Sequence, residues 1–139
     1  MKKYIILLLF PLLMACEKDS IASKNPFLPN YNVNYNVNLN LPSNNNLLST
    51  TGSVYINTAG VGIRGIFVFN TGTGYVAYDA ACPNQPLSDC STMTLNGINA
   101  VCPCDGAEYS LFTGLSNGKN YPMKPYRTEV SGNIIRIYN

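Results

Sequence analysis

The sequence of 139 residues contains no histidine and no tryptophan. Without histidine, the chain lacks the usual catalytic triads, the two-histidine zinc motifs and proton transfer through an imidazole ring. Charged residues are also few, at 12% of the chain, with nine basic and seven acidic side chains. Two of the basic residues, Lys2 and Lys3, belong to a segment that we expect to be removed, which leaves seven of each sign. A net charge of zero argues against nucleic-acid binding and against a polybasic membrane-binding patch.

Residues 1–15 predict a secretory signal peptide. Two lysines precede an apolar run over residues 4–14, which is too short to span a bilayer. The run ends in Leu13-Met14-Ala15-Cys16, which resembles the lipobox of bacterial lipoproteins and implies cleavage before Cys16 and acylation of that residue. An acylated Cys16 would anchor the protein to a membrane. Because Glu17 rather than an aspartate directly follows Cys16, we expect the outer membrane, with the domain in the periplasm or on the cell surface. The alternative is an ordinary signal peptide followed by an incidental cysteine.

The rest of the chain predicts a short tether and one small domain. Residues 16–29 are polar and contain two prolines, as expected of a lipid-anchored linker. Residues 30–139 contain apolar alternation with period two and frequent turn residues, and no window has a convincing helical period. The apolar run 66–69 predicts a strand buried on both faces. Strands are predicted at residues 31–41, 53–57, 63–69, 75–78, 108–112, 126–130 and 134–138. Short strands at this spacing predict an all-β sandwich or barrel.

Four of the five cysteines form two clusters, Cys82 with Cys90 and Cys102 with Cys104. Outside the cytoplasm, cysteines in a small domain tend to be paired in disulfides. Two other interpretations remain open at this point. Four thiolates have the ligand count of a structural zinc site, and Cys102-Pro-Cys104 has the form of a thiol–disulfide exchange motif. The second lacks a following helix, a histidine or a nearby lysine that would lower a thiolate pKa.

The segment from Cys102-Pro-Cys-Asp-Gly to Tyr109, followed by two predicted strands joined at Gly132, resembles the second half of a Rieske domain. That family has a first loop Cys-x-His and a second loop Cys-x-x-His-Gly. Here Cys82-Pro-Asn84 and Cys102-Pro-Cys-Asp105-Gly stand at those places. The resemblance covers residues 47–139. It implies a Rieske-like antiparallel β-sandwich with a small inserted subdomain at about residues 80–110, built in that family to hold a 2Fe–2S cluster for electron transfer.

The resemblance also assigns the individual ligand positions. Cys82 and Cys102 stand at the cysteine-ligand positions, and Asn84 and Asp105 stand at the histidine positions. A neutral amide is a poor ligand for iron, and a carboxylate is a hard donor seldom found in such clusters. Rieske proteins of the respiratory type carry a further disulfide between the loops, which corresponds here to Cys90–Cys104. Cys82 and Cys102 would then face each other, and we expect them to oxidise to a second disulfide, Cys82–Cys102.

We therefore expect a non-enzymatic envelope lipoprotein with a degenerate, disulfide-closed cluster site, no cofactor and a protein partner that the sequence does not name. The alternative is an electron-transfer protein whose 2Fe–2S cluster is held by cysteines alone or together with Asp105. The carboxylates near the two loops offer a further possibility, because a pair of them would suit acid–base chemistry. We interpret them instead as solvated loop charges: Asp79, Asp89, Asp105 and Glu108.

Overall fold

A computed structural model describes residues 24–139 of the protein. The predicted signal peptide, the candidate lipidation site Cys16 and residues 16–23 of the predicted linker lie outside the described residues. Between Lys24 and Asn139, no helix is long and apolar enough to cross a membrane.

The described chain forms a large and a small antiparallel sheet. The strands are β1 Asn34–Asn38, β2 Ser53–Ile56, β3 Ile66–Asn70, β4 Tyr75–Asp79, β5 Thr94–Asn96, β6 Asn99–Val101, β7 Glu108–Ser110, β8 Pro125–Ser131 and β9 Ile134–Tyr138. The large sheet has the strand order β1-β9-β8-β4-β3-β2, and the small one has the order β5-β6-β7 and is inserted in the chain between β4 and β8. The prediction of an all-β antiparallel domain with a small inserted subdomain is confirmed.

Strand β3 supplies side chains to two hydrophobic clusters, one on each face. Phe67 and Phe69 lie in a cluster with the cysteine loops and the small sheet. Ile66 and Val68 lie in a second cluster with side chains of β1 and β9. All four are at most 1% exposed, as the apolar run predicts. Because successive residues of a strand point to opposite faces, this one run joins the small subdomain to the large sheet.

The first predicted strand is longer than the one observed. Tyr31 and Leu41, at the two ends of the alternating segment, are 53% and 50% exposed, and β1 covers only the middle of the segment. The chain turns after Leu39 into a 3₁₀ helix, Pro42–Leu48. Proline fits the first turn of a helix because the amide hydrogen that it lacks has no partner there.

The end of the predicted tether packs against the domain. Asn25 is 8% exposed, and its side-chain nitrogen donates a hydrogen bond of 2.7 Å to the carbonyl of Pro83. Leu28 is 3% exposed. Contacts with the domain therefore begin at least five residues before the predicted boundary at residue 30.

Asp79, the last residue of β4, is fully buried directly before the first cysteine loop. Its carboxylate accepts hydrogen bonds from the amides of Ile63 at 2.6 Å, Arg64 at 3.2 Å and Ala81 at 2.8 Å, and from the hydroxyl of Tyr126 at 2.7 Å. Burial and the Asp79 charge raise the pKa of Tyr126, so its hydroxyl remains a donor. The interpretation of Asp79 as a solvated loop charge is wrong. The same contacts explain why β3 begins at Ile66 rather than at residue 63.

We predict that Asp79→Ala lowers the free energy of unfolding by about 3 kcal/mol or more, because it leaves several buried donors without an acceptor. Tyr126→Phe removes one donor to a charged acceptor and should cost about 1 to 2 kcal/mol. Urea unfolding with intact disulfides measures both. The matched control is Asp89→Ala at an exposed carboxylate, with an expected change within about 0.5 kcal/mol. Equal losses for the Asp79 and Asp89 variants would contradict the role assigned to Asp79.

Candidate functional site

Two loops project from the strands and meet at the cysteines. The first loop lies between β4 and β5, and its ends are closed by backbone hydrogen bonds from Cys82 to Ser91 at 2.8 Å and from Met93 to Ala80 at 2.7 Å. The second lies between β6 and β7, where the amide of Gly106 donates to the carbonyl of Cys102 at 2.8 Å. Gly106 has φ +71°, a left-handed conformation that glycine adopts without steric cost. The first loop is therefore closed at its base and the second is a tight turn, and the cysteines of each loop lie against those of the other.

Two disulfide bonds join the loops, Cys82–Cys102 and Cys90–Cys104, with Cα–Cα distances of 5.6 and 5.1 Å. Both pairs agree with the sequence-based expectation, one drawn from the resemblance and the other from oxidation of the two facing thiols. Cys82 and Cys102 are fully buried within the hydrophobic cluster of Phe67 and Phe69, whereas Cys90 is exposed and Cys104 is half-buried. One bond therefore lies in the core and the other at the surface.

Asn84, at the first histidine position of the family, connects the first loop to the segment before β8. Its Nδ2 donates to the hydroxyl of Tyr109 at 2.9 Å and to the carbonyl of Tyr121 at 2.8 Å. Its Oδ1 accepts a hydrogen bond from the amide of Tyr121 at 3.0 Å. Both the nitrogen and the oxygen of the Asn84 side chain are hydrogen-bonded, so this side chain links the first loop to β7 and to the segment before β8.

Asp105, at the second histidine position, connects the two loops and a third segment. Its Oδ2 accepts from Gln85 of the first loop at 3.0 Å and from the ammonium group of Lys119 at 2.6 Å, and its Oδ1 accepts from the amide of Ala107 at 3.0 Å. Burial by itself would raise the pKa of this carboxyl, but the hydrogen bonds from Lys119, Ala107 and Gln85 outweigh it and lower the pKa. Asp105 is therefore an ionised partner in a local network.

The residues at the site do not fit a 2Fe–2S cluster of the Rieske type. Such a cluster needs two cysteine thiolates on one iron and two imidazoles on the other. Here the sulfur atoms of Cys82 and Cys102 are bonded to each other. The side chains of Asn84 and Asp105 are hydrogen-bonded to other residues of the protein. The Sγ atoms of Cys82, Cys102 and Cys104 do lie within 4.8 Å of one another. These three sulfur atoms could therefore act as metal ligands only after both disulfides were reduced.

Several residues of the site could not be identified from the sequence. Tyr121 and Lys119 come from the loop before β8, which carries no motif of its own. Ser88 lies beside the surface disulfide, with its hydroxyl 3.4 Å from the Cys90 sulfur and 3.8 Å from the Cys104 sulfur. The guanidinium group of Arg64 donates to the carbonyl of Ser88 at 3.0 Å. The contacts of Arg64, Lys119 and Tyr121 form between segments far apart in sequence, so no spacing in the chain signals them.

The fold and the site define an all-β antiparallel domain whose inserted subdomain carries two loops joined by two disulfides. Among similar solved structures, a chain of the complex of reduced oxygenase and oxidized ferredoxin in carbazole 1,9a-dioxygenase is 21% identical, with a TM-score of 0.46 over 65% of this chain and 82% of that one. The ferredoxin of carbazole 1,9a-dioxygenase from Nocardioides aromaticivorans is 15% identical, with a TM-score of 0.44 over 64% and 86%.

The ferredoxin of Sphingomonas yanoikuyae is 18% identical, with a TM-score of 0.41 over 54% of this chain and 74% of that one. No protein-family model matches the chain, and no curated protein matches it. The description of the fold therefore depends on the strand order and on the loop geometry.

We predict that Asn84→Ala lowers the free energy of unfolding by about 2 kcal/mol, because it leaves the backbone of Tyr121 and the hydroxyl of Tyr109 without their partner. Denaturant unfolding of the oxidised protein measures the change. Asn120→Ala, in the same segment but exposed, is the control and should change stability by less than about 0.5 kcal/mol. An Asn84 variant as stable as this control would show that the connection is not needed.

We predict that Asp105→Asn is less stable than the wild type at neutral pH and that the difference disappears in acid. The carboxyl has a folded-state pKa below its ordinary value of 3.8. The Asp105 carboxylate therefore stabilises the fold at pH values above its ordinary pKa. This stabilisation is lost as the pH falls through the lowered folded-state pKa. Melting temperatures of both proteins between pH 7 and strongly acidic pH measure the difference. A difference that persists in acid would contradict the assignment, and since the carboxylate is partly exposed we expect a small effect.

Proposed function

We propose that the protein is a non-enzymatic lipoprotein of the bacterial envelope whose Rieske-like domain has its cluster site closed by disulfides and serves to bind a protein partner. One observation carries this proposal: the Cys82–Cys102 bond uses both sulfur atoms that would otherwise hold iron. A disulfide sulfur is not a thiolate, and the thiolate is the form that ligates a metal. The closed site therefore holds the two loops in place covalently.

The two histidine positions support the same conclusion. Asn84 makes three hydrogen bonds to other segments, and Asp105 makes two to other segments and one within its own loop, so both side chains connect the loops to the rest of the domain. A histidine that ligates iron has to present a ring nitrogen to the metal. The side chains of Asn84 and Asp105 instead link the two loops to other segments by hydrogen bonds, in addition to the two disulfides between the loops.

The lipid anchor of the proposal rests on the lipobox-like Leu13-Met14-Ala15-Cys16. Asn25 is buried against the domain and lies only nine positions after Cys16. An extended chain of that length spans at most about 30 Å. An acylated Cys16 would therefore hold the domain close to the membrane surface, where an envelope partner embedded in or bound to that membrane would meet it.

A second candidate function is electron transfer through a cluster held by cysteines and Asp105. It is favoured by the convergence of the Cys82, Cys102 and Cys104 sulfur atoms within 4.8 Å and by the position of Asp105 next to Cys104 in the chain. It would require reduction of both disulfides and release of Asp105 from Lys119 and Gln85. The colour and the iron content of the protein separate the two candidates.

We predict that protein purified from the envelope without reductant has no visible absorption band, no stoichiometric iron or zinc, and no free thiol among the four loop cysteines. Visible spectroscopy, metal analysis and thiol titration of one sample measure all three properties. Mass analysis of the N-terminal peptide should find a lipid on Cys16. A red-brown protein with about two iron atoms per chain would overturn the proposal in favour of the electron-transfer function.

The double variant Asn84→His with Asp105→His provides the matched control for metal binding. Both proteins are reduced and reconstituted with iron and sulfide without oxygen. The variant offers the two cysteines and two histidines that the cluster requires, so we expect it to acquire a visible band. The wild type, treated identically, should not acquire one. A wild-type band as strong as that of the variant would contradict the assignment of Asn84 and Asp105 as non-ligands.

A further inference from the structure

The two disulfides of the site are close enough to exchange with each other. The Sγ atom of Cys104, in the surface disulfide, lies within 4.8 Å of both sulfur atoms of the buried disulfide. We propose that Cys90–Cys104 is a thiol–disulfide exchange site for an external thiol, and that the Cys104 thiolate released there then attacks the Cys82–Cys102 disulfide. This inference rests on the disulfide-closed site of the proposed function and adds a redox activity to it.

Exposure determines where an external thiol can attack. Cys90 is exposed and Cys104 is half-buried, whereas Cys82 and Cys102 are 0% exposed within a hydrophobic cluster. A thiolate has to reach a sulfur atom to displace its partner, so the rate of exchange depends on access. A reductant in solution therefore reaches the Cys90 sulfur first, and the leaving group of that attack is Cys104. The buried bond is accessible chiefly from inside the protein, through Cys104.

Polar groups beside the surface disulfide favour this leaving group. The Ser88 hydroxyl lies 3.8 Å from the Cys104 sulfur and 3.4 Å from the Cys90 sulfur, from where it can donate a hydrogen bond to a thiolate. The carbonyl of Ser88 accepts hydrogen bonds from the Arg64 guanidinium at 3.0 Å and from the Ser91 hydroxyl at 2.9 Å, which fix this residue. A hydrogen-bond donor beside the sulfur stabilises the charged form of a cysteine.

The steps balance in atoms and electrons. A thiolate of a small-molecule thiol or a protein dithiol attacks the Cys90 sulfur, forms a mixed disulfide there and releases the Cys104 thiolate. The Cys104 thiolate then attacks one sulfur of the buried pair, forms a new disulfide with it and releases the other as a thiolate, which takes a proton from water. A second external thiol resolves the mixed disulfide at Cys90. In total, two external thiols become one disulfide, and one disulfide of the protein becomes two thiols.

Two single variants that lose the same disulfide test this pathway. Cys90→Ser leaves Cys104 as a free thiol beside the buried bond, and Cys104→Ser leaves Cys90 as a free thiol at the surface. Both lose the same covalent constraint, so any general destabilisation is matched. We expect peptide mapping under non-reducing conditions to find a disulfide from Cys104 to Cys82 or Cys102 in the first variant. The second variant should retain Cys82–Cys102. Retention of Cys82–Cys102 in both variants, or its loss in both alike, overturns the proposal.

Partial reduction of the wild type, compared with a double variant that lacks the surface disulfide, gives a second measurement. Limiting dithiol is added, free thiols are alkylated at intervals, and each cysteine is mapped. Because the internal attack replaces an encounter between two molecules, we expect the buried pair to open at least about tenfold faster in the wild type than in the double variant Cys90→Ser with Cys104→Ser. Equal rates overturn the proposal. Stoichiometric iron in the starting protein would instead overturn the proposed function, so the two failures are distinguishable.

Discussion

The Cys82–Cys102 bond joins the two loops at the centre of a buried cluster that also contains Phe67, Phe69 and Tyr109. It closes a segment of 20 residues. In the chain-entropy model a loop of about this size stabilises the fold by roughly 3 kcal/mol, because it removes freedom from the unfolded chain. The small sheet is built from strands of three residues each, which bury little surface by themselves. Its position therefore depends on this bond and on the aromatic side chains of β3 packed around it.

The hydrogen bonds of Asn84 and Asp105 complete this arrangement at the outer side of the loops. Asn84 reaches the backbone of Tyr121, and Asp105 reaches Gln85 and Lys119, so three separate segments meet at these two side chains. A metal cluster would draw the loops together through four bonds to two iron atoms. In this chain the same convergence comes from sulfur–sulfur bonds in the interior and from amide and carboxylate contacts near the surface.

The strands of the large sheet could be predicted because their signals are local. The run from Ile66 to Phe69 is apolar at every position and is buried on both faces, and the last strand, Ile134–Tyr138, has the predicted bounds. Residues 31–41 alternate without a break, yet only their middle pairs with β9, since alternation does not determine where a neighbouring strand ends. Strands β5 and β6 were not predicted, because three residues on each side of Gly97 are too few to establish a period.

The site was predictable only in part, for a related physical reason. The resemblance assigned the cysteine pairs and the two positions without histidine. Asp79 could not be recognised as buried, because the amides that surround it belong to residues 63, 64 and 81, and backbone groups leave no trace in a sequence pattern. Arg64 could not be identified either, because its guanidinium group reaches the carbonyl of Ser88 only after the chain has folded.

The hydrogen bond from Asn25 to the carbonyl of Pro83 has a mechanical consequence. Pro83 directly follows Cys82, so the N-terminal segment is fastened next to the buried sulfur bond rather than to the far side of the sheet. A pulling force on the N-terminal segment would therefore reach the cysteine loops first. These loops are cross-linked twice, and covalent cross-links bear load without yielding under forces that would separate hydrogen-bonded strands.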